Sequence, residues 1–216
     1  MSSLLLAIHS YPGANEGVAR HWPHYEKSGA SKIIGIGTVG GKCKWPEGVH
    51  SVEIGADSYI AGDHLPRRLV ETMRLMLLLP YERFCIIEWD CLFFHPLPEF
   101  TGMVAFHAGN NLPGMKAQRF WHCPWAFDFE TGSKFVFEAQ KIIDAREVEG
   151  HECSPDVFFG WVCERAGIDV KQPWIGYTRN TIESAQDAED ARKAVLAGAM
   201  SVHGCKSRAT YDYLMT

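Results

Sequence analysis

The stretch Arg83-Phe84-Cys85-Ile86-Ile87-Glu88-Trp89-Asp90 decides how the chain is read. The apolar run Phe84 to Ile87 predicts a buried strand that leads straight into two carboxylates one residue apart. Strand side chains alternate faces, so Glu88 and Asp90 are expected to point one way and Trp89 the other. Two acids at the end of an apolar strand are costly to leave buried and unpaired. They must face solvent, pair with basic groups or hold a cation. A divalent cation on oxygen ligands keeps positions free for a diphosphate.

Upstream of this stretch, Leu4 to Ile8 and Lys32 to Thr38 read as two more buried strands. A short helix carrying Val18, Ala19 and Trp22 is expected between them, with Asn15 as its cap, Pro23 as an interruption and Gly29 as its end. Strand, helix and strand at this spacing predict a parallel βαβ unit. Ligands of such sheets gather beyond the carboxyl ends of the strands, which brings His9, Ser10, Tyr11 and Thr38 to one crevice. Ser51 to Ile54 reads as a further strand. Asp63 is the expected cap of a helix that Pro80 stops, with Leu69, Val70, Met73 and Met76 on one face. Arg67 and Arg68, near the start of that helix, are candidates to reach a diphosphate, although an Arg67–Glu71 pair on a solvated face is the plainer reading. Val39-Gly40-Gly41-Lys42 lacks the Gly-Lys-Ser/Thr ending of a phosphate loop and reads as a turn.

Downstream, Gly102 to Phe106 is expected to be a strand and His107 to Asn111 a loop. Arg119 to Phe129 is the most aromatic part of the chain. Trp121 and Trp125 are candidate walls for a substrate, while most of these rings are expected to fill the core. Thr131 is the expected cap of a helix with Phe135, Val136, Ala139, Ile142 and Ile143 inward. Ser154-Pro155 opens another helix and Gly167 ends it. Asp156 falls in its first turn, where the helix dipole by itself favours an acid. Trp174 to Arg179 reads as a late strand, Ser184 to Ala197 as a charged surface helix, and Ala199 to Lys206 as a short strand with a glycine turn.

The 216 residues, 46% hydrophobic and 22% charged, suit one globular domain with a substantial core. A net charge of −5 argues against a general nucleic-acid coat and leaves room only for a local basic groove. Seven cysteines, an odd number with no Cys-x-x-Cys, fit reduced thiols in a cytoplasmic compartment. The start, Met1 to His9, lacks the basic region of a signal peptide, and Met73 to Leu79 is too short for a membrane span. The expectation is a soluble cytoplasmic protein.

Taken in order, these features resemble a nucleotide-sugar glycosyltransferase of the GT-A type. The resemblance rests on the N-terminal βαβ half, on Glu88-Trp89-Asp90 at the place of an Asp-x-Asp-like metal motif, on Asp156 at a helix start, and on His203-Gly204-Cys205-Lys206 near the end. It implies an α/β, Rossmann-like single domain with a mixed, mostly parallel central sheet flanked by helices. The nucleotide-binding half would cover about residues 1–94 and the acceptor half about 95–216. It further implies a nucleotide-diphosphate sugar donor, a divalent cation, Mn2+ or Mg2+, and an acceptor hydroxyl. Asp90 would bind the metal, Glu88 would bind it through water or contact the ribose, and His203 would be a second ligand. Lys206 would face the diphosphate, with Trp89, His9, Ser10, Tyr11, Thr38, Arg67 and Arg68 on the donor side. Trp121 and Trp125 would border the acceptor, and Asp156 would be the base of an inverting transfer.

The acceptor is open between a glycan, a lipid, a protein and a hydroxymethylated DNA base. A chain this short has a minimal acceptor half, which a homo-oligomer could complete. The alternatives are a nucleotidyltransferase and a non-catalytic nucleotide- or sugar-binding module on the same fold. The first loop, Ser10 to Asn15, has no nearby Lys, which counts against nucleotidyl transfer. A zinc hydrolase on His151-Glu152-Cys153 lacks the spacing that zinc deaminases use.

Overall fold

The computed structural model describes residues 3–40, 42–54, 64–110, 117–147, 154–179 and 181–216. Along the chain the elements are β1 (Leu4–His9), α1 (Asn15–Glu26), β2 (Lys32–Gly37), β3 (His50–Glu53), α2 (His64–Leu77), β4 (Arg83–Glu88), β5 (Leu92–Phe93), β6 (Met103–Asn110), β7 (Arg119–Asp128), α3 (Phe129–Asp144), α4 (Pro155–Ala166), β8 (Val170–Lys171), β9 (Gly176–Thr178), α5 (Ala185–Leu196), β10 (Ser201–His203) and α6 (Arg208–Met215). The main sheet has seven strands in the order β3-β2-β1-β4-β7-β6-β8. Its β3, β2, β1 and β4 are parallel, β7 runs antiparallel to both β4 and β6, and β8 is parallel to β6. The result is an α/β fold with a mixed, largely parallel sheet, Rossmann-like in its general architecture.

β1 and β4 are neighbours at the centre, and each is buried along its length except at the last residue. Continuous apolar sequence is what a strand covered on both faces requires. The two faces separate by parity. Leu5, Ala7, Phe84 and Ile86 join Met73 of α2, Phe135 of α3 and Phe159 of α4 in one core. Leu4, Leu6, Ile8, Cys85 and Ile87 join Val18 and Tyr25 of α1 in a second core on the opposite face. A smaller three-stranded sheet, β5-β10-β9, packs with α5 and α6 around Leu92, Val202, Ala191 and Leu214. No helix among the described residues is long and apolar enough to cross a membrane.

Several local expectations are corrected. Asn15 does not cap α1. A 3-10 turn over Pro12–Ala14 leads into the helix, and the Asn15 side chain instead accepts the Lys44 backbone N–H at 2.7 Å. Pro23 does not interrupt α1, because His24 and Tyr25 beyond it are buried and bonded to the carbonyls of Phe93 and Trp89. That tertiary anchoring outweighs the lost helix bond. Residues His107 to Asn110 are not loop but a continuation of β6, paired with Arg119 to His122 of β7. Asp128, not Thr131, caps α3: the Thr131 N–H donates to its carboxylate at 2.9 Å and the hydroxyl at 2.6 Å. The expected cap at Asp63, the residue Asn111 and the tripeptide His151-Glu152-Cys153 lie outside the described residues.

Candidate metal centre

The chain leaves β1 in one direction for β2 and β3 and returns on the other side of β1 as β4. Such a switch point opens a crevice at the carboxyl ends of the two central strands. His9 ends β1 and Glu88 ends β4, and the two are register partners. A cleft of about 220 Å³ lies there, lined by His9, Ser10, Tyr11, Arg68 and Glu88, with Ser154 and Pro155 at the start of α4 on its other side.

Glu88 shares the parity of Phe84 and Ile86 and so follows them onto the α2–α4 face, where it is partly exposed. Asp90 lies in the turn after β4 and is fully buried. The small sheet carries their partner in. β5 begins two residues beyond Asp90, and β10 pairs with it antiparallel through Val202–Leu92. This register puts His203 beside the turn, and the Cys205 N–H donates to the Asp90 carbonyl at 3.1 Å. His203 Nε2 then lies 3.1 Å from Glu88 Oε2 and 3.4 Å from Asp90 Oδ1, while Lys206 Nζ lies 3.7 Å from Asp90 Oδ2. The structure thus brings Glu88, Asp90, His203 and Lys206 together.

A fifth side chain belongs to the same place. Cys123 of β7 is 1% exposed. Its sulfur, a ring nitrogen of His203 and a carboxylate oxygen of Glu88 all lie within 4.8 Å of one another. Between Ala105 and His107 of β6 and the facing Trp125 and His122 of β7 the register shifts, so β7 carries an extra residue at Cys123-Pro124. Bulges of this kind re-aim side chains beside functional sites.

The electrostatics follow from burial and charge. Burial works to raise the Asp90 carboxyl, but the cations of His203 and Lys206 hold it below the usual carboxylate range. Burial works to lower the His203 imidazole, yet Cys123 and Asp90 beside it hold it well above its ordinary value. Burial pushes the Cys123 thiol up to about 11, against the pull of His203. At neutral pH the thiol is therefore protonated, and the partner that keeps His203 cationic is Asp90. Both Asp90 carboxylate oxygens and His203 Nδ1 are buried without a hydrogen bond among the described residues. Carboxylate, thiol and imidazole donors converging on one point, with an under-satisfied buried acid behind them, fit a divalent metal ion.

Asp156 follows directly on Ser154 and Pro155, which line the cleft. Ser154 caps α4, Pro155 fills its first position and Gly167 ends it at φ 60°, as read from the sequence. Gly160 lets α4 lie hard against β7, since a Cβ there would sit 2.0 Å from the Arg119 carbonyl oxygen. Asp156 Oδ2 meets His122 Nδ1 at 2.7 Å, and the His122 ring is 6.1 Å from that of His203. A polar row thus runs from Asp156 through His122 to His203, Glu88 and Asp90.

The remaining candidates divide. Arg68 lines the cleft, but its Nη2 donates to the carbonyls of Ser10 (2.9 Å) and Ile36 (2.7 Å), so part of its capacity is spent fixing the ends of β1 and β2. His9 Nε2 lies 2.9 Å from Thr72 Oγ1, whose own proton goes to the Arg68 carbonyl. That network assigns the His9 proton to Nε2. Burial and the Arg68 cation keep His9 neutral, well below its ordinary value. Trp125 reaches the cleft while stacking on Phe159. Thr38 is buried just past the end of β2. Arg67 lies away from the cleft, in a shallow groove with Arg74 and Gln140. Trp121 is a core residue, and Trp89 packs on the opposite face against Gly17 and His21 of α1. Cys123 and His122 escaped the sequence reading. The available signal was an adjacent His-Cys pair, both metal-ligating residue types, inside an otherwise aromatic run.

Neither a scan of protein-family models nor a search of curated proteins finds a match to this chain.

Proposed function

We propose that this chain is a metal-dependent glycosyltransferase of the GT-A type, moving a sugar from a nucleotide-diphosphate donor to an acceptor hydroxyl. The observation that carries the reading is that Glu88 belongs both to the cleft wall and to the metal-binding cluster. A ligand in the crevice would therefore meet the ion with its charged middle. The donor diphosphate would lie over the ends of β1 and β4, where Arg68 and Lys206 supply positive charge. Glu88 and His203 would hold the cation, which neutralises charge growing on the leaving nucleoside diphosphate.

The acceptor enters from the α4 side. Its oxygen attacks the anomeric carbon as the bond from that carbon to the diphosphate breaks, and its proton passes to Asp156. His122, at 2.7 Å, fixes the Asp156 carboxylate in place. Trp125 is suited to bordering the sugar.

The test is a thermal-shift panel of nucleoside diphosphates and their sugars, with and without a divalent cation. One nucleotide is expected to raise the melting temperature only when the cation is present. Asp156→Asn is expected to keep that shift while transfer falls by about 10²–10⁴-fold. Near-normal turnover in this variant would remove Asp156 from the base role, and an absence of any nucleotide response would remove sugar transfer itself.

A further inference from the structure

We infer that Cys123 is a direct ligand of the cation, and that the centre therefore takes a thiophilic divalent ion of the zinc or cobalt kind in preference to magnesium. The inference rests on the cluster as a cation site and not on sugar transfer. Oxygen ligands alone, as the acidic pair suggests, would suit magnesium or manganese. A sulfur among the donors changes the choice. Magnesium keeps oxygen ligands and near-octahedral geometry, whereas thiolate, imidazole and carboxylate together are donors of zinc and its neighbours.

One observation points to the sulfur, and a second points to a cation beside it. Cys123 shares one 4.8 Å neighbourhood with the Glu88 carboxylate and the His203 imidazole, and theirs is the only such group among the described residues. Asp90 lies just behind, fully buried, with both oxygens lacking a hydrogen bond and one of them 3.4 Å from His203 Nε2. That oxygen approaches the same ring nitrogen, Nε2, that faces Glu88, so Asp90 adds negative charge where the cation would sit. Charge also balances. With Cys123 as thiolate, His203 neutral and the two protons released to solvent, a divalent ion and Lys206 offset the thiolate, Glu88 and Asp90.

Cobalt reads the assignment directly. Titrating Co2+ into the metal-free full chain is expected to raise a sulfur-to-cobalt charge-transfer band in the near ultraviolet, lost on adding Zn2+ but not on adding Mg2+. In Cys123→Ser the band should vanish and Zn2+ affinity should fall at least about tenfold, while Mn2+ affinity stays within about twofold. An undiminished band in the variant, or bound Co2+ without a band in the wild type, overturns the inference. Should the variant fail to fold, X-ray absorption of the zinc-loaded wild type decides instead, with a sulfur shell at about 2.3 Å expected and an oxygen/nitrogen-only shell fatal. A thiolate band in a chain that binds no sugar nucleotide would leave this assignment standing and remove the transfer reading alone.

Discussion

Two groups of buried imidazoles flank the same short segment, Glu88-Trp89-Asp90, and they are built in opposite ways. On the cleft side His203 faces the carboxylates of Glu88 and Asp90, at 3.1 and 3.4 Å. On the α1 side His21 and His24 face backbone carbonyls, those of Trp89 at 3.1 Å and Phe93 at 3.0 Å. A carbonyl only accepts, so each of these rings donates from Nδ1. Burial lowers the His21 imidazole to about 4, with the Trp89 carbonyl pulling weakly the other way. Burial acts on His203 too, but there carboxylate charge reverses the outcome. The lesson is that a carbonyl dipole holds an imidazole in place while leaving it neutral, and only a full charge makes it a cation. The neutral side fastens α1 to the sheet. The charged side is the one that can exchange its proton for a metal ion.

Removing the charge that distinguishes the two sides should have the largest effect. Asp90→Ala removes the fully buried one of the two carboxylates that face His203 and leaves it Glu88 alone, so the loss should approach the about 3–5 kcal/mol that breaking a buried pair from one side costs. Urea denaturation at pH 6 should show that loss. The sign with pH is fixed by a folded value raised above the ordinary 6.5 of His203. The stability from this pair is full between the ordinary Asp90 value of 3.8 and pH 6.5 and fades as pH rises through the raised His203 value, so the gap between wild type and variant should narrow in alkali. A loss below about 1 kcal/mol at pH 6 would mean the two sides do not differ as described.

The two sides were unequally legible in the sequence. β1, β2 and β4 were readable because each is a single uninterrupted apolar run, and the helix at Ser154 because cap, proline and glycine all agree. Glu88, Asp90, His203 and Lys206 were grouped by the resemblance to a glycosyltransferase rather than by any signal of their own. Cys123 was not. Its strand, β7, contains Pro124 at the register shift, and proline in a run argues against a central strand. Without that strand nothing places Cys123 beside Glu88, 35 residues earlier. The neutral side was hidden for a different reason. His21 and His24 bond to backbone, and a carbonyl partner leaves no mark on side-chain sequence.

The pH limb of the neutral side is the mirror image, and somewhat smaller. His21 has a folded value of about 4 against an ordinary 6.5. Between those values the unfolded chain binds the proton more readily, so stability from this residue is full above pH 6.5 and is lost as pH falls toward 4. A gap of 2.5 units corresponds to about 3 kcal/mol. His21→Asn keeps a side-chain N–H for the Trp89 carbonyl without a group that titrates here. The variant is expected to be less stable at pH 7 by about 1–2 kcal/mol but to lose less on acidification. Parallel acid limbs for the two proteins would show that His21 is not held neutral.

The smallest change tests whether a hydrogen bond on the neutral side is worth as little as the absence of charge implies. The Tyr25 hydroxyl donates to the Trp89 carbonyl, which His21 also serves. Burial raises the Tyr25 phenol well above its ordinary value, so it acts only as a neutral donor. Tyr25→Phe removes that donor and keeps the ring against His21 and Trp22. The carbonyl retains a partner, so no buried polar group is orphaned and the cost should stay near 1 kcal/mol, without pH dependence between 6 and 8. A loss as large as that of Asp90→Ala would place the essential anchoring of this segment on the α1 side. Cation affinity should then fall in Tyr25→Phe as well, because Trp89 links Glu88 to Asp90 and any shift of its carbonyl moves both acids.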